Sequence, residues 1–308
     1  MEPASRAREQ RIGFACAFLV LFVWTGFILV TRAGATRGVL TPWDIAALRL
    51  VVAFVVLAPF AAFGALKGLA PSRVLALGAC AGLGFPIAAY VAFTLAPAAH
   101  GAVLLPGALP FATALVAWAW LGERVGGAKA ISLAMVAAGI VLLAGAGFIA
   151  EPGAWRGDLL FLLGTTFWAV YTLLIRRWGV TALQATVAVG VACAPLYLPV
   201  WLVALPSRLG EASWGEIAFQ ATYQGLLAMV IASLLYTRAL VALGPAKLAF
   251  FTAIVPALAA LAAWPLLDEP LGPGALAGVG FVTAGMLYGV LRGSGPAPSR
   301  VDAPAPRT

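Results

Sequence analysis

Aromatic and polar side chains recur at matched positions inside the apolar stretches of this chain. Trp24 and Trp168 lie 144 residues apart, and Tyr90 and Tyr236 lie 146 residues apart. Such side chains bind small organic molecules in concave sites, by stacking and by a few hydrogen bonds. A lone aromatic residue is also compatible with helix packing or lipid contact. The candidates for a substrate pathway are Trp24, Thr25, Arg49, Tyr90, Trp168, Tyr171, Gln220, Tyr223, Gln224, Tyr236 and Thr252.

Arg49 is the charged residue that lies clearly within an apolar stretch. A charge at the bilayer centre costs about 2.5–3.5 kcal/mol, so buried charges are rare and often functional. Arg49 is also near enough to the end of its stretch for the guanidinium to reach the membrane interface. Two roles are therefore compatible with the position of Arg49, a structural tether and a substrate contact. All 11 acidic residues lie in termini, loops or the edges of stretches, so no carboxylate at mid-membrane is available as a proton relay.

Catalysis, metal binding and nucleic-acid binding find no support in the sequence. No G-x-S-x-G or H-E-x-x-H motif occurs, and the single His100 cannot complete a local metal set. Cys16, Cys80 and Cys193 lack C-x-x-C spacing, so neither a disulfide framework nor a metal site is expected. The net charge of +8 arises from basic residues in short gaps, not from a clustered cationic face. We expect no enzyme activity, no cofactor, no metal and no nucleic-acid partner.

Prolines interrupt the apolar stretches at repeated positions. Pro106 and Pro110 share one helix face, Pro256 repeats Pro110 after 146 residues, and Pro86 follows a glycine-rich segment. Each removes a backbone hydrogen bond and kinks its helix. Kinks at matching positions of two halves indicate a central cavity with its hinges, although they also help curved helices to pack.

The elements that must position these residues are membrane helices. Of the 308 residues, 63% are apolar and 10% are charged, with a mean hydropathy of +1.02. A soluble domain carries roughly 25% charged residues, and about 20 apolar residues cross a bilayer as a helix. The spans that we predict are 13–31, 43–64, 74–95, 102–121, 128–147, 157–176, 184–204, 217–241, 246–266 and 273–292.

The same unit occurs twice along the chain. Trp118 and Glu123 recur 146 residues later as Trp264 and Glu269. Each copy contributes five spans, and because five is odd the second copy must insert upside down. We therefore predict an all-α membrane protein with ten transmembrane helices in two inverted five-helix repeats around a central cavity. The predicted units are an N-terminus at 1–12, repeat 1 at 13–147, repeat 2 at 157–292 and a disordered tail at 293–308.

Lysine and arginine residues predict the orientation. With the N-terminus in the cytoplasm, fourteen of the 19 basic residues fall on the cytoplasmic side and four outside. The hairpin after Trp118 keeps Arg124 and Lys129, whereas its copy after Trp264 has neither. We predict a multi-pass protein of the cell membrane (inner or plasma) with both termini cytoplasmic. The first apolar stretch is expected to be a retained helix and not a cleaved signal peptide.

The chain resembles the EamA-type branch of the drug/metabolite transporter superfamily from Arg11 to Arg292. The likeness is carried by ALPFATALVAWAWLGERV and IVPALAALAAWPLLDEPL, with GDLLFLLGTTFWAVYTLLIRRWG and the ALRLVVA that contains Arg49. The resemblance implies ten helices in two inverted units, a central cavity and alternating access for small metabolites. The second half departs from the family hairpin as Asp268-Glu269-Pro270, and the counterpart of Arg49 is apolar, near Val189.

Taken together, these patterns predict a secondary transporter of small metabolites, an exporter of amino acids or related compounds by alternating access. Its hinge elements are predicted at Pro86, Pro106, Pro110 and Pro256. The alternatives are a flippase for lipids or lipid-linked sugars and an uncoupled permeation facilitator. The expected partners are a small-molecule metabolite and the lipid bilayer, with a monomer as the simplest state.

Overall fold

The computed structural model describes residues 3–122, 126–150 and 153–293, and they are helical throughout, with short turns between helices. Within these ranges, ten helices are long and apolar enough to cross a membrane. This confirms the predicted number of spans, which we number span 1 to span 10. Their bounds are Ala7–Arg37, Pro42–Ala62, Pro71–Leu95, Ala98–Trp120, Gly127–Gly145, Trp155–Trp178, Ala182–Ala204, Trp214–Leu243, Lys247–Leu267 and Pro273–Arg292.

Side-chain caps start equivalent spans in the two halves. The Thr41 hydroxyl accepts from the backbone N–H of Asp44, whose carboxylate accepts from the Thr41 N–H, forming a capping box at the start of span 2. Thr181 and Gln184 form the same box at the start of span 7. Such boxes satisfy backbone donors that a helix leaves unpaired at its first turn. Matching caps on spans 2 and 7 agree with a duplicated unit.

Several spans are interrupted, and the predicted prolines lie at the interruptions. Pro86, Pro110 and Pro256 are each the second residue of a new helical segment, where a missing N–H costs little. Pro106 lies inside a short π-helical turn. The segments are Pro71–Leu77, π-helical Gly78–Gly84 and Phe85–Leu95 in span 3; Ala98–Ala102, π-helical Val103–Gly107 and Leu109–Leu121 in span 4; Ala182–Ala192 and Ala194–Ala204 in span 7; Trp214–Gln220, π-helical Ala221–Ile231 and Ala232–Leu243 in span 8; and Pro245–Thr252 and Val255–Leu267 in span 9.

Spans 5 and 10, which are equivalent in the two repeats, pack tightly and run antiparallel. Gly139 meets Gly278, while Ser132, nearer the start of span 5, donates to the carbonyl of Gly285 at 2.7 Å, further along span 10. A Cβ on Gly139 would lie 2.6 Å from the carbonyl oxygen of Gly278, so this approach requires glycine. Small residues that let backbones approach are a common means of helix association in membranes.

Two other inter-repeat contacts form a matched pair. Span 1 packs antiparallel on span 8, where Gly13 meets Ala242 and Gly34 meets Gln220. The equivalent spans 6 and 3 pack in the same way, with Gly157 against Ala96. The contact between spans 1 and 8 therefore becomes the contact between spans 6 and 3 when the two repeats are exchanged. This is the relation expected of two inverted five-helix repeats.

The two ends of the bundle are recognised by their ion pairs. At the Glu9 end, where span 1 begins, Arg238 pairs with Glu9 at 2.6 Å. At the opposite Glu269 end, Arg32 pairs with Glu269 at 2.5 Å. The start of span 4 also lies at the Glu269 end, so the hairpin between spans 4 and 5 lies at the Glu9 end. Glu123, which we predicted in that hairpin, is outside the described residues.

Candidate functional site

A cavity of about 760 Å³ lies between the two repeats, and all ten spans contribute to its wall. It extends from Arg49 and Trp168 deep in the bundle to Lys129 and Val180 at the Glu9 end. One lining residue from each span, in order, is Trp24, Arg49, Ala81, Pro106, Lys129, Trp168, Thr186, Tyr236, Thr252 and Met286. A cavity shared by both repeats is the arrangement that places a transport pathway at a repeat interface.

The deep part of the cavity is walled by aromatic rings. Trp24 stacks on Tyr236 with ring centres 5.4 Å apart, which links spans 1 and 8. Trp168 lies between Phe85, at 4.9 Å, and Tyr171, at 5.2 Å. An adjoining hollow of about 110 Å³ extends this part of the cavity. Its lining includes Trp24, Phe27, Arg49, Phe85 and Trp168. These walls suit an apolar or aromatic body bound by stacking and dispersion.

Hydroxyl groups supply much of the polarity in the wider part of the cavity. Ser233 donates to the carbonyl of Met229 at 2.6 Å, and Thr237 donates to that of Ser233 at 2.9 Å. Thr172 and Thr186 likewise donate to carbonyls of their own helices. A hydroxyl that has donated its proton to the backbone keeps only acceptor capacity. Among the described residues, the charged members of the lining are Arg49 and Lys129, and none is Asp or Glu.

A buried polar network lies behind Arg49. The amide of Gln224 accepts from the Tyr90 hydroxyl at 3.2 Å and donates to Thr31 at 3.1 Å and to Gln220 at 3.4 Å. The backbone carbonyl of Gln224 accepts from Nη1 of Arg49 at 3.2 Å. Gln224 is fully buried, and it reaches Arg49 from the protein side. Its position is fixed by the π-helical segment of span 8, a distortion common at functional sites.

The structure divides the predicted pathway residues into two groups. Trp24, Arg49, Trp168, Tyr171, Tyr236 and Thr252 line the cavity, as do Pro106 and Pro110. Thr25, Tyr90, Gln220, Tyr223, Gln224, Pro86 and Pro256 are not among the lining residues. Tyr223, for example, donates to the carbonyl of Val23 at 3.1 Å and joins span 8 to span 1. Tyr90, Gln220 and Gln224, also of this second group, form the buried network behind Arg49.

Several lining residues were not among the sequence-based candidates. Phe27 and Phe85 were indistinguishable from the many other apolar residues of their spans. Lys129 had been assigned only to the orientation of the hairpin. Ser233 and Thr237 did carry a signal, because with Tyr236 they mark one polar face at helical spacing on span 8.

The Glu269 end of the bundle is closed by salt bridges and hydrogen bonds. The Glu269 carboxylate pairs with Nε of Arg32 at 2.5 Å and accepts from the backbone N–H of Ala98 at 2.7 Å. Arg32 also donates to the carbonyl of Phe93 at 2.6 Å. These contacts connect span 1 with the loop after span 9 and with spans 3 and 4. Arg37 adds a more exposed pair with Asp268 at 2.8 Å.

Asp44 anchors a second closed region at this end. Its carboxylate accepts from the Trp201 indole at 3.0 Å, the Ser207 hydroxyl at 2.5 Å and the backbone N–H of Arg208 at 3.0 Å. On repeat 2, Asp158 contacts Nδ1 of His100 at 2.7 Å. Because these contacts hold the span ends together at the Glu269 end, the cavity extends toward the Glu9 end.

Comparison with known proteins supports the fold and gives the family. No curated protein sequence matches the chain. A solved structure described only as the crystal structure of a protein matches with a TM-score of 0.61 and 22% sequence identity. The match covers 94% of this chain and 99% of that chain, so the whole ten-span fold is shared.

The family model for EamA-like transporters matches twice. One match covers residues 11–145 and the other residues 155–290. These ranges contain spans 1 to 5 and 6 to 10 and agree with the duplication seen in the sequence and in the packing. The chain belongs to the EamA-like transporter family, a multi-pass membrane transporter family of the drug/metabolite transporter type.

Proposed function

We propose that this chain is a secondary transporter that exports small metabolites, amino acids or related compounds, by alternating access. The observation that carries the proposal is the cavity between the repeats, which extends to the Glu9 end and is closed at the Glu269 end by the Arg32–Glu269 pair. In alternating access, the cavity is accessible from one end of the bundle while the other end is closed, and this arrangement is one of the two states that the mechanism requires. The moving bodies are the two repeats, at 13–147 and 157–292.

The direction of export depends on orientation. The excess of Lys and Arg predicts that the Glu9 end faces the cytoplasm of the cell. The cavity then receives substrate from the cytoplasm, and opening of the Glu269 end releases it outside. Pro106 and Pro110, which line the cavity at the break in span 4, are placed to act as hinges.

A transport assay with purified protein in proteoliposomes tests this proposal. Vesicles loaded with unlabelled amino acids or related metabolites should accumulate the labelled compound by counterflow, and Trp168→Ala should lower that accumulation. Liposomes that contain no protein provide the background. Equal labelled uptake by protein-containing and empty liposomes, across amino acids and organic acids, contradicts the proposal.

A second candidate, uncoupled facilitation, is favoured by one observation. None of the described residues that line the cavity is Asp or Glu, so the residue type that most often relays protons in coupled transporters is missing from the described part of its wall. Uptake into proteoliposomes should then be unchanged by an imposed pH gradient under conditions that keep the probe's ionisation constant. Accumulation driven by the gradient would instead support proton coupling.

A further inference from the structure

Arg49 is a buried cation that has no charged partner among the described residues. The residue is 5% exposed, and its Nε has no hydrogen-bond partner. Nη1 donates to a neutral carbonyl, that of Gln224, at 3.2 Å. A buried charge that is neither paired nor fully hydrogen-bonded is costly, so a protein that retains one gains something when a ligand satisfies it.

The carboxylates of the described residues are all engaged elsewhere. Each lies near one end of the bundle and accepts hydrogen bonds there, so none is available to neutralise Arg49. Their partners are Arg238 for Glu9; Thr41, Trp201, Ser207 and Arg208 for Asp44; His100 for Asp158; Arg208 for Glu211; Val39 and Leu40 for Glu216; Arg37 for Asp268; and Arg32 and Ala98 for Glu269.

Arg49 lines the deep part of the cavity. Arg49 lines both the large cavity and the adjoining hollow, so it lies where the two meet. Trp24, Phe27, Phe85 and Trp168 surround it with apolar surface. The protein side of Arg49 is held by Gln224, and the Tyr90 hydroxyl is near enough to interact with it electrostatically. Arg49 is therefore held by Gln224 and Tyr90 on one side and lines the cavity on the other, while its buried Nε has no hydrogen-bond partner.

We propose that Arg49 binds the carboxylate of the transported metabolite, whose apolar body lies against the aromatic wall. This inference rests on the proposed transport function and names the substrate class, an organic acid with an apolar or aromatic body. A guanidinium holds a carboxylate through charge-assisted hydrogen bonds that strengthen away from water. An amino group on the same substrate finds hydroxyl oxygens but no carboxylate among the described lining residues, so it contributes little to binding.

A series of four probes of nearly equal shape isolates the two polar groups. They are 3-phenylpropanoate, which has the carboxylate alone; L-phenylalanine, which has both groups; 2-phenylethylamine, which has the amine alone; and 3-phenylpropanamide, which is neutral. Binding to the purified full-length protein is followed by the tryptophan fluorescence to which Trp24 and Trp168 contribute. Both carboxylates should bind within about threefold of each other, and the amide and the amine should bind roughly tenfold or more weakly.

Variants of Arg49 connect the preference to this residue. Arg49→Gln should bind the acid and the amide with similar affinity, and Arg49→Lys should keep part of the preference because it keeps the charge. Arg156→Gln is the matched control, since it removes an exposed arginine at the Glu269 end that is not in the cavity lining. Thermal unfolding shows whether each variant is folded. If Arg49→Gln is not folded, the test is made with Arg49→Lys.

The outcomes separate this inference from the proposed function. Equal affinity of the wild-type protein for acid and amide, a strict requirement for the amine, or an acid preference that survives in Arg49→Gln would overturn the carboxylate site. If the acid preference depends on Arg49 but proteoliposomes show no counterflow of 3-phenylpropanoate, the site is supported and the transport function fails. Counterflow without an acid preference supports transport and overturns the site.

Discussion

At the scale of single residues, the cavity combines an apolar aromatic wall with one buried cation. Trp24 and Tyr236 form one stacked pair, and Trp168 contacts Phe85 and Tyr171. These rings supply contact area but no charge, whereas Arg49 supplies charge but little area. We therefore expect different side chains to contribute the binding energy and the orientation of a ligand, as is usual in small-molecule sites.

Replacement of Trp168 with alanine should lower transport without lowering the amount of protein in the membrane. The indole lines the cavity and contacts two other rings, so its loss removes ligand contact and loosens the wall. We expect an apparent affinity weakened by roughly 1–3 kcal/mol, as for the loss of a buried aromatic contact. Counterflow with 3-phenylpropanoate or an amino acid measures the effect.

Trp118→Ala is the matched control for this prediction. Trp118 is 60% exposed in the bundle and is absent from the cavity lining, so its ring faces outward, and the variant should transport normally. An equal loss of transport in both variants would mean that tryptophan is needed for insertion or packing and not for the pathway.

At the scale of helices, the interface between spans 5 and 10 depends on glycine, while spans 3, 4, 8 and 9 are broken beside the cavity. Gly139 and Gly285, which are equivalent in the repeats, both lie in the span 5–span 10 contact. Their lack of side chains lets Ser132 reach the carbonyl of Gly285. The closely packed interface keeps equivalent helices together, and the broken helices provide places where backbone geometry changes.

Gly139→Ala should destabilise the protein by about 1–3 kcal/mol, the range for overpacking a close contact. Its Cβ would lie 2.6 Å from the carbonyl oxygen of Gly278 and 2.7 Å from a methyl group of Val282, so spans 5 and 10 must separate. Thermal unfolding of the purified protein measures the change.

Gly145→Ala on the same span serves as the comparison. Nothing lies within 4 Å of a Cβ at Gly145, so alanine should leave the stability unchanged or raise it slightly. A Gly139→Ala protein as stable as Gly145→Ala would show that the close approach of spans 5 and 10 is not maintained in solution.

At the scale of the whole molecule, the two ends of the bundle are unlike. The Glu269 end is joined by the Arg32–Glu269 pair, which links three parts of the chain, and by the hydrogen bonds of Asp44. The Glu9 end has the cavity mouth, with Lys129 and Val180 in its lining. Such asymmetry between two similar repeats is what we expect of one state of the proposed alternating access.

Glu269→Gln should favour opening of the Glu269 end. The variant removes the charge from a hydrogen-bonded charged pair whose contribution is about 1–3 kcal/mol. That energy is enough to shift a two-state equilibrium by roughly 5- to 150-fold. We expect Ile28→Cys, buried at the deep hollow, to become more reactive toward a membrane-impermeant thiol reagent added at that end. The background protein has Cys16, Cys80 and Cys193 replaced.

Glu211→Gln is the control for the opening of this end. Glu211 forms an exposed pair with Arg208, three residues away in the same loop, and joins no separate spans. Labelling of Ile28→Cys should be unchanged in this background. Equal labelling with and without Glu269→Gln would show that the Arg32–Glu269 pair does not control access.

The inverted topology predicts that single cysteines at the two ends are labelled from opposite sides of the membrane. Arg73→Cys lies at the Glu9 end, where Arg73 stacks over Trp178, and Arg156→Cys lies at the Glu269 end. In intact cells an impermeant reagent should label Arg156→Cys, and Arg73→Cys should be labelled only after permeabilisation. Labelling of both in intact cells would contradict the assigned orientation.

The sequence predicts the ten spans and the duplication because both depend on local or repeated features. A bilayer requires about 20 apolar residues per helix, so each span can be read from composition alone. The matched positions of Trp118 and Trp264 reveal the repeat without any knowledge of packing. The helical interruptions at Pro110 and Pro256 follow from the missing proline N–H.

The site was predicted less completely than the fold. Trp24, Trp168 and Tyr236, predicted to lie on a substrate pathway, line the cavity, whereas Tyr90 and Gln224 lie behind Arg49. In an apolar span every face is hydrophobic, so periodicity does not distinguish the cavity from lipid or from a neighbouring helix. The sequence also gave no indication that Glu269, in the loop after span 9, pairs with Arg32 of span 1.

By itself, the sequence determined a duplicated ten-helix membrane protein with inverted halves, since hydropathy, proline placement and an odd number of spans per repeat are properties of the chain. Only the tertiary structure decided which polar groups meet. It left Arg49 unpaired beside the cavity and closed the Glu269 end with Arg32. The physical reason is that contacts between distant spans depend on helix rotation and approach, which are set by small residues such as Gly139 and by the π-helical turns, and not by local composition.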